Sequence, residues 1–263
     1  MLHARNGLIL GLGFELLFTA ICAGQVLETE TARLRPAGGF TLGGNYEWQT
    51  SSEGRERAVP LVLEYGLTAR SELLVEPVIS TAILPKAGRR AYGLGDLEVT
   101  ATYLVRSETP GLPAVALAGE VKFPTARDEL IGTGKADYTG YVIASKWLGH
   151  ADLHGNLGYT VIGQLAGTHL SNIISGALAG EYPLSDRAEL FCEVLGNTAS
   201  TPEGEGKVPE GQGTVPPEAT GGELVGTLGA GVRPIRSVLL SLSFSYDNNN
   251  AFLIRPGLTW VFR

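Results

Sequence analysis

The sequence predicts an all-β protein, a transmembrane antiparallel up-and-down β-barrel of about twelve strands. Three observations predict this fold. Apolar residues recur at every second position along segments of about 9 to 12 residues, the length of a tilted membrane strand. The connections between these segments alternate between short and long, as turns and loops do on the two rims of such a barrel. Glycine is abundant, at 36 of 263 residues, and many glycines fall inside the alternating segments, where a curved, closed sheet can use them.

Composition excludes several classes of protein. The chain carries a net charge of −7, and only 18% of its residues are charged. A nucleic-acid partner is therefore not expected, because such proteins carry a basic stripe. Two cysteines, Cys22 and Cys192, cannot build a disulfide framework or a zinc site. No metal and no cofactor are expected.

The first 24 residues have the layout of a secretory signal peptide. His3 and Arg5 precede an apolar run over 8–23, and small residues follow near Ala23. The run is short for a membrane helix. We therefore predict a signal peptide over 1–24, export, and a single outer-membrane barrel domain over 25–263. Cleavage would leave Cys192 as a lone thiol, which we predict to be a buried small hydrophobe.

Alternation is clearest in the last segment, where Phe252, Ile254, Leu258, Trp260 and Phe262 share one face. The same pattern recurs along the chain and predicts twelve strands. Their predicted bounds are 40–49, 57–66, 71–80, 94–105, 114–123, 137–148, 151–161, 173–182, 188–197, 223–232, 238–247 and 251–262.

The lengths of the connections predict which rim of the barrel faces the periplasm and which faces outward. Those after even-numbered segments are short, whereas 81–93, 124–136 and 198–222 after odd-numbered segments are long. Outer-membrane barrels carry short turns on the periplasmic side and longer loops outside. We therefore expect a long outer loop over 198–222 and solute entry between the three long loops.

Aromatic residues near the ends of the apolar face predict girdles at the two membrane interfaces. The candidates are Trp48, Tyr65, Tyr103, Trp147, Tyr159, Tyr182, Tyr246, Trp260 and Phe262.

The opposite face would then line the lumen. The residues expected there are Glu76, Glu98, Glu120, Lys122, Lys146, His154, Glu189, Glu193 and Arg255. Acidic residues outnumber basic ones on this face, and carboxylates without partners are costly to bury without water. This favours a hydrated, cation-leaning passage, although an interior plugged by its own ion pairs is the alternative in a small barrel.

An enzyme is not expected, and no catalytic residue is assigned. A barrel lipase would need a serine and a histidine meeting on the lipid face. We expect His154 to point inward and Ser145 to lie on the opposite face of the neighbouring strand.

Several turn and strand-end motifs carry a family resemblance. They are Gly93–Leu97, Lys122–Thr125, Gly134–Tyr138, Ser145–Trp147, His154–Tyr159 and Gly180–Arg187. Together they resemble the outer-membrane barrel transporters labelled "MetA-pathway of phenol degradation", over roughly residues 60–262 and most strongly over 93–197. The resemblance implies a bacterial outer-membrane channel associated with the breakdown of aromatic compounds.

Two functional hypotheses follow. The first is a passive channel for small solutes, among them aromatic or other hydrophobic compounds. The second is a plugged barrel with a structural or surface-interaction role. The expected partners are the lipid bilayer of the outer membrane, a small-molecule solute and the barrel-insertion machinery.

Overall fold

The structure, a computed structural model, describes residues 27–165, 169–200 and 222–262. Fourteen strand segments form one antiparallel sheet, and β1 pairs with β14 to close it into a barrel. The segments are Phe40–Asn45 (β1), Glu47–Thr50 (β2), Gly54–Thr68 (β3), Ser71–Pro85 (β4), Ala91–Gly93 (β5), Leu97–Arg106 (β6), Ala114–Phe123 (β7), Asp137–Leu148 (β8), Ala151–Val161 (β9), Ile173–Ser185 (β10), Ala188–Asn197 (β11), Glu223–Ile235 (β12), Val238–Asp247 (β13) and Phe252–Phe262 (β14).

The barrel has 12 strands because two of them are interrupted. Segments β1 and β2 together form the first strand, since both pair with β3 on one side and β14 on the other. Pro60 and Pro256 flank the break at Tyr46, and neither has an N–H to donate to the ladder. Segments β5 and β6 both pair with β4 and together form the fourth strand. Across that gap, the amide of Gly95 donates to the carbonyl of Val78 at 2.9 Å.

The predicted strand order is confirmed, with adjustments at the strand ends and a one-residue shift of the faces near the end of β8. The third strand runs to Pro85 and the fourth begins at Ala91, so the predicted loop over 81–93 is wrong. β-Branched and apolar residues, as in Val78–Ile79 and Ile83–Leu84, suit an extended strand there. The predicted signal peptide over 1–24 and most of the loop over 198–222 lie outside the described residues.

The two faces of the sheet differ in the way a barrel in lipid requires. On β13, Leu240, Leu242 and Phe244 are exposed on the outside, whereas Ser241 and Ser243 between them are buried on the inside. The outside also presents Leu178 and Leu228, which are 71% and 68% exposed. Such a continuous apolar surface indicates contact with lipid rather than water.

Among the described residues, no helix has the length and apolar character needed to cross a membrane.

The rims keep their predicted asymmetry. One rim, here called the turn rim, carries the connections 69–70, 107–113, 149–150, 186–187 and 236–237. The other, the loop rim, carries 51–53, 86–90, 124–136, 162–172, 198–222 and 248–251. The chain enters the first strand from the turn rim, where the amide of Gly38 donates to the carbonyl of Gly66 at 2.8 Å. The described residues before it, 27–37, therefore approach the first strand from the turn rim, next to the lumen.

Candidate functional site: the barrel lumen

One side of the lumen is lined by carboxylates. Glu76 on β4 lies directly opposite Glu98 on β6, and Glu98 lies opposite Lys122 on β7. Like charges in directly opposite positions are destabilising unless water or a cation screens them. We call Glu72, Glu76, Glu98 and Glu120 the acidic wall.

The acidic wall is only partly neutralised. Lys122 forms an ion pair with Asp137 and lies 4.0 Å from Asp96, so its charge is shared among several acids. Glu120 accepts hydrogen bonds from two uncharged hydroxyl groups, Thr100 Oγ1 and Tyr141 OH, both at 3.3 Å. A carboxylate cluster held in this way is costly to bury without water.

The chain's own residues 27–36 lie inside the lumen. We call this stretch the inner segment. From the turn rim it contacts β3 and β4, then β8 and β9, and it ends against β11 and β14. Because these strands lie on different sides of the ring, the inner segment crosses the lumen rather than following one wall. It therefore narrows the barrel from within.

Two arginines anchor the inner segment near the turn rim. Arg33 donates to both carboxylate oxygens of Asp152 at 3.0 and 2.8 Å, and it lies 2.6 Å from Glu108. Arg35 donates to Glu64 at 2.7 Å, while its backbone amide donates to Glu72 at 2.5 Å. Paired arginine–carboxylate contacts of this kind fix orientation as well as position.

Glu108, in the turn 107–113, links the inner segment to the barrel. Burial alone would raise the pKa of this carboxyl. Hydrogen bonds from Lys146 and Arg33, together with one from the amide of Trp147, instead hold its pKa below the ordinary value. Glu108 is therefore ionised at neutral pH and forms ion pairs with both Arg33 and Lys146.

The far end of the inner segment is held by polar contacts. The amide and hydroxyl of Thr29 both donate to Glu193 Oε1, at 2.6 and 2.5 Å. With its oxygen and nitrogen assigned to suit their neighbours, the Asn156 side-chain amide pairs with the backbone of Glu30, donating to its carbonyl at 2.9 Å and accepting from its amide at 2.6 Å. Glu28 lies 2.6 Å from Arg255, which also contacts Glu47 at 2.9 Å. These contacts satisfy backbone groups that would otherwise be unpaired inside the barrel.

Apolar contacts complete the docking of the inner segment. Ala32 packs in a cluster with Ala114, Ala116, Ala118 and Ile143 on β7 and β8. Leu27 packs in a second cluster with Ala179, Phe191 and Leu239. The inner segment thus covers two apolar patches of the lumen face.

A cavity of about 370 Å³ remains between the inner segment and the loop rim. Its lining includes Glu28, Glu47, Arg255, Glu223 and Asp247. The carboxylate of Glu28 is exposed, at 57% of its side-chain area. The space is therefore polar and predominantly acidic.

Ser145 and His154 share the lumen face, so the expectation that they lie on opposite faces is wrong. They are register partners on β8 and β9, and Ser145 Oγ lies 2.9 Å from His154 Nδ1. His154 Nε2 is 3.8 Å from both Asp152 and Glu181. Ser145 Oγ accepts the amide of Ala32 at 2.9 Å, and Ser145 is only 1% exposed beneath the inner segment. This arrangement docks the segment and leaves no room for a substrate at the hydroxyl.

The predicted lumen residues, apart from Lys146, lie at inward register positions. His154, Glu189, Glu193 and Arg255 are buried there, and Glu189 pairs with Arg233.

Lys146 and Trp147 are placed the other way round from the prediction. Odd-numbered residues of β8 face inward, as Ser145 shows, so Lys146 points outward at the turn rim. There its ammonium donates to the carbonyls of Thr109 at 2.7 Å and Pro110 at 3.2 Å. Trp147 faces inward, with the Arg33 guanidinium 5.6 Å from its ring centroid, and is not part of a girdle.

The other girdle candidates are exposed on the outer face. They are Trp48, Tyr65, Tyr103, Tyr159, Tyr182, Tyr246, Trp260 and Phe262. Tyr46, Tyr92 and Tyr138 are exposed there as well, although they are not among the girdle residues predicted from the sequence. Cys192 is exposed on the same face, and its predicted burial in the core is wrong because β11 turns its even-numbered residues outward.

The loop 124–136 is fixed at the loop rim. Asp96 accepts the amide of Ala126 at 2.9 Å, and Thr125 Oγ1 donates to the carbonyl of Gly95 at 2.9 Å. Arg89 donates to both oxygens of Asp128, at 2.6 and 2.8 Å, and this pairing holds the pKa of Asp128 below its ordinary value. The mouth of the barrel is therefore partly shaped by an ordered loop.

Among the described residues, no group of three or more His, Cys, Asp or Glu side chains is arranged to hold a metal ion.

The closed barrel, its apolar exterior and its charged lumen define a β-barrel of the outer-membrane type. Solved structures support this fold. An outer membrane channel from Pseudomonas putida F1 is 15% identical with a TM-score of 0.65, covering 87% of this chain and 97% of that one. The NanC porin is 10% identical with a TM-score of 0.59, covering 83% and 98%.

A further similar structure is the KdgM porin in complex with disordered oligogalacturonate. It is 9% identical with a TM-score of 0.54, covering 85% of this chain and 99% of that one. No protein-family model and no curated protein sequence matches the chain. The similarity to these solved structures therefore extends to the fold alone.

Proposed function

We propose that the protein is a bacterial outer-membrane channel through which small solutes diffuse passively, and that it is not an enzyme. The observation that carries this proposal is the surplus of carboxylates on the lumen face, centred on the pair Glu76 and Glu98. Such a wall is unfavourable in a dry, packed interior. It is suited to a water-filled passage.

The setting follows from the two faces of the sheet. The apolar exterior matches a lipid bilayer, and a closed sheet leaves no unpaired edge within it. The signal-peptide pattern over 1–24 supports export, with the turn rim facing the periplasm and the loop rim facing outward. Assembly by the barrel-insertion machinery is part of the proposal.

The finer substrate class is aromatic or other weakly soluble carbon compounds. Its support is the family resemblance of the turn and strand-end motifs. Uptake of candidate aromatic compounds by a deletion strain, with and without the gene restored, tests this part separately. Equal uptake in both strains would remove aromatic compounds from the proposal and leave the channel itself standing.

Solute entry into proteoliposomes tests the channel directly. Liposomes containing the folded protein should swell in iso-osmotic solutions of small sugars and amino acids, more slowly as solute size increases. Matched liposomes without protein provide the baseline. No swelling above that baseline, with the barrel shown to be folded, would contradict the proposal.

The second candidate is a closed barrel with a structural or surface-interaction role. The observation in its favour is the inner segment, which crosses the lumen and is anchored on several sides. Under this reading the loop 198–222 would be the contact for a partner. The same swelling measurement separates the two candidates, because a closed barrel admits no solute.

A further inference from the structure

We propose that the inner segment determines the size and charge preference of the channel, with solutes passing between it and the acidic wall and cations favoured over anions. This inference rests on the proposed channel function and deepens it. It assigns the constriction to residues 27–36, which precede the first strand.

The position of the inner segment is the first step. Its anchors lie on β3, β4, β8, β9, β11 and β14, on different sides of the ring. A chain segment held across the lumen removes part of its cross-section. The strands themselves can only set the outer limit of the pore.

The charges that face the remaining gap are the second step. The carboxylate of Glu30 lies near those of Glu64, Glu72 and Glu120. Glu28, which contacts Arg255 on β14, is within electrostatic reach of Glu76, Glu98 and Glu120. The inner segment thus adds two carboxylates opposite a wall that is already acidic.

The basic side chains are the third step, because they are paired with carboxylates. Lys122, beside the acidic wall, pairs with Asp137. Arg33 and Arg35 are directed to Asp152, Glu108 and Glu64 near the turn rim. Arg255 lies between Glu28 and Glu47, two acids. A narrow passage with a negative potential concentrates cations and repels anions.

Ion conduction in planar bilayers provides the main test. Removing residues 27–35 while keeping Pro36–Gly39 at the rim should raise single-channel conductance at least about twofold, because the lumen is widened. It should also lower the K⁺/Cl⁻ permeability ratio. The deleted residues carry two glutamates and two arginines, so the net charge is unchanged, and the ratio falls because a wider passage weakens the potential of the acidic wall. Retained β-sheet content and a heat-modifiable band on gels confirm that the shortened chain has folded.

A charge variant tests selectivity without shortening the chain. Glu28→Gln with Glu30→Gln should lower the K⁺/Cl⁻ permeability ratio about threefold or more at low salt, where screening is weak. Conductance should change less than in the deletion. The matched control, Glu53→Gln with Glu129→Gln, removes two carboxylates outside the lumen and should leave the ratio unchanged.

A disulfide tests whether the inner segment lies in the lumen at all. Thr31 Oγ1 and Ser145 Oγ are 3.3 Å apart, so cysteines at these positions are within bonding reach. In a background with Cys22 and Cys192 replaced by serine, mild oxidation of Thr31→Cys with Ser145→Cys should form the bond in the folded barrel. The bond is detected by mass spectrometry after proteolysis, and its absence would overturn the inference.

The outcomes separate the two proposals. No current from either the full chain or the deletion would overturn the channel function. Equal conductance and equal selectivity in both would overturn the role of the inner segment and leave the channel standing. Current from the deletion alone would show that the segment closes the barrel, which also contradicts passage beside it.

Discussion

Gly66 shows how closely the inner segment fits the wall at its entry. A Cβ at this position would lie 2.2 Å from the carbonyl oxygen of Pro36 and 2.7 Å from that of Arg35. The amide of Gly66 also donates to the carbonyl of Gly39 at 2.9 Å. The backbone of the segment therefore rests directly on the backbone of β3.

Gly66→Ala should consequently weaken the fold by about 1–3 kcal/mol, the usual penalty for overpacking. The temperature at which the folded band disappears on gels should fall, and the inner segment should become accessible to protease. Gly140→Ala is the matched control, since its Cβ would meet nothing within 4 Å. Equal stability of the two variants would contradict the close fit.

The sequence predicts the face of a residue correctly where the alternation of apolar and polar residues is unbroken. Near the end of β8 the predicted faces are shifted by one residue. The sequence predicts that the charged Lys146 lies inside and the aromatic Trp147 outside. Their pairing shows the reverse, since the lysine reaches the turn 107–113 and the tryptophan packs under Arg33. Near a rim, a long side chain can reach polar groups from either face, so residue type alone does not determine the face.

At the scale of elements, the strands and the asymmetry of the two rims were largely predictable, and the inner segment was not. Period-two alternation specifies the face of each strand because a one-residue slip would move every side chain to the other face. The inner segment carries no such signal. Its partners are distant in the sequence, with Thr29 and Glu193 separated by 164 positions and Arg33 and Asp152 by 119.

The loop 124–136 provides an element-scale prediction. Arg89→Gln removes the paired contacts to Asp128, so the loop should be cleaved by trypsin after Arg127 and Lys135 several-fold faster than in the unchanged protein. The barrel should remain folded, because the pair lies at the loop rim outside the ladder.

Arg90→Gln is the control for this experiment, since it removes the same charge and one tryptic site next to Arg89. Its cleavage rate after Arg127 should match that of the unchanged protein. Faster cleavage in both variants would mean that the Arg89–Asp128 pair does not hold the loop.

At the scale of the whole molecule, the requirement for closure explains the topology. Phe40 at the beginning of the first strand pairs with Phe262 at the end of the last, so every strand has two neighbours and no edge is left in lipid. This could be anticipated from the sequence. The identity of what occupies the lumen could not, because a lumen residue and a solvent-exposed residue share the same polar character.

The central claim, lipid outside the barrel and water inside it, is tested most directly by thiol labelling of the two faces in one strand. In the Cys192→Ser background, Val225→Cys lies on the inner face beside the cavity, and Leu228→Cys lies on the outer face. In proteoliposomes, a charged, membrane-impermeant thiol reagent should modify Val225→Cys rapidly and Leu228→Cys at least about tenfold more slowly, because lipid excludes the reagent. Equally fast modification at both positions would show that the outer face is in water and would contradict the account.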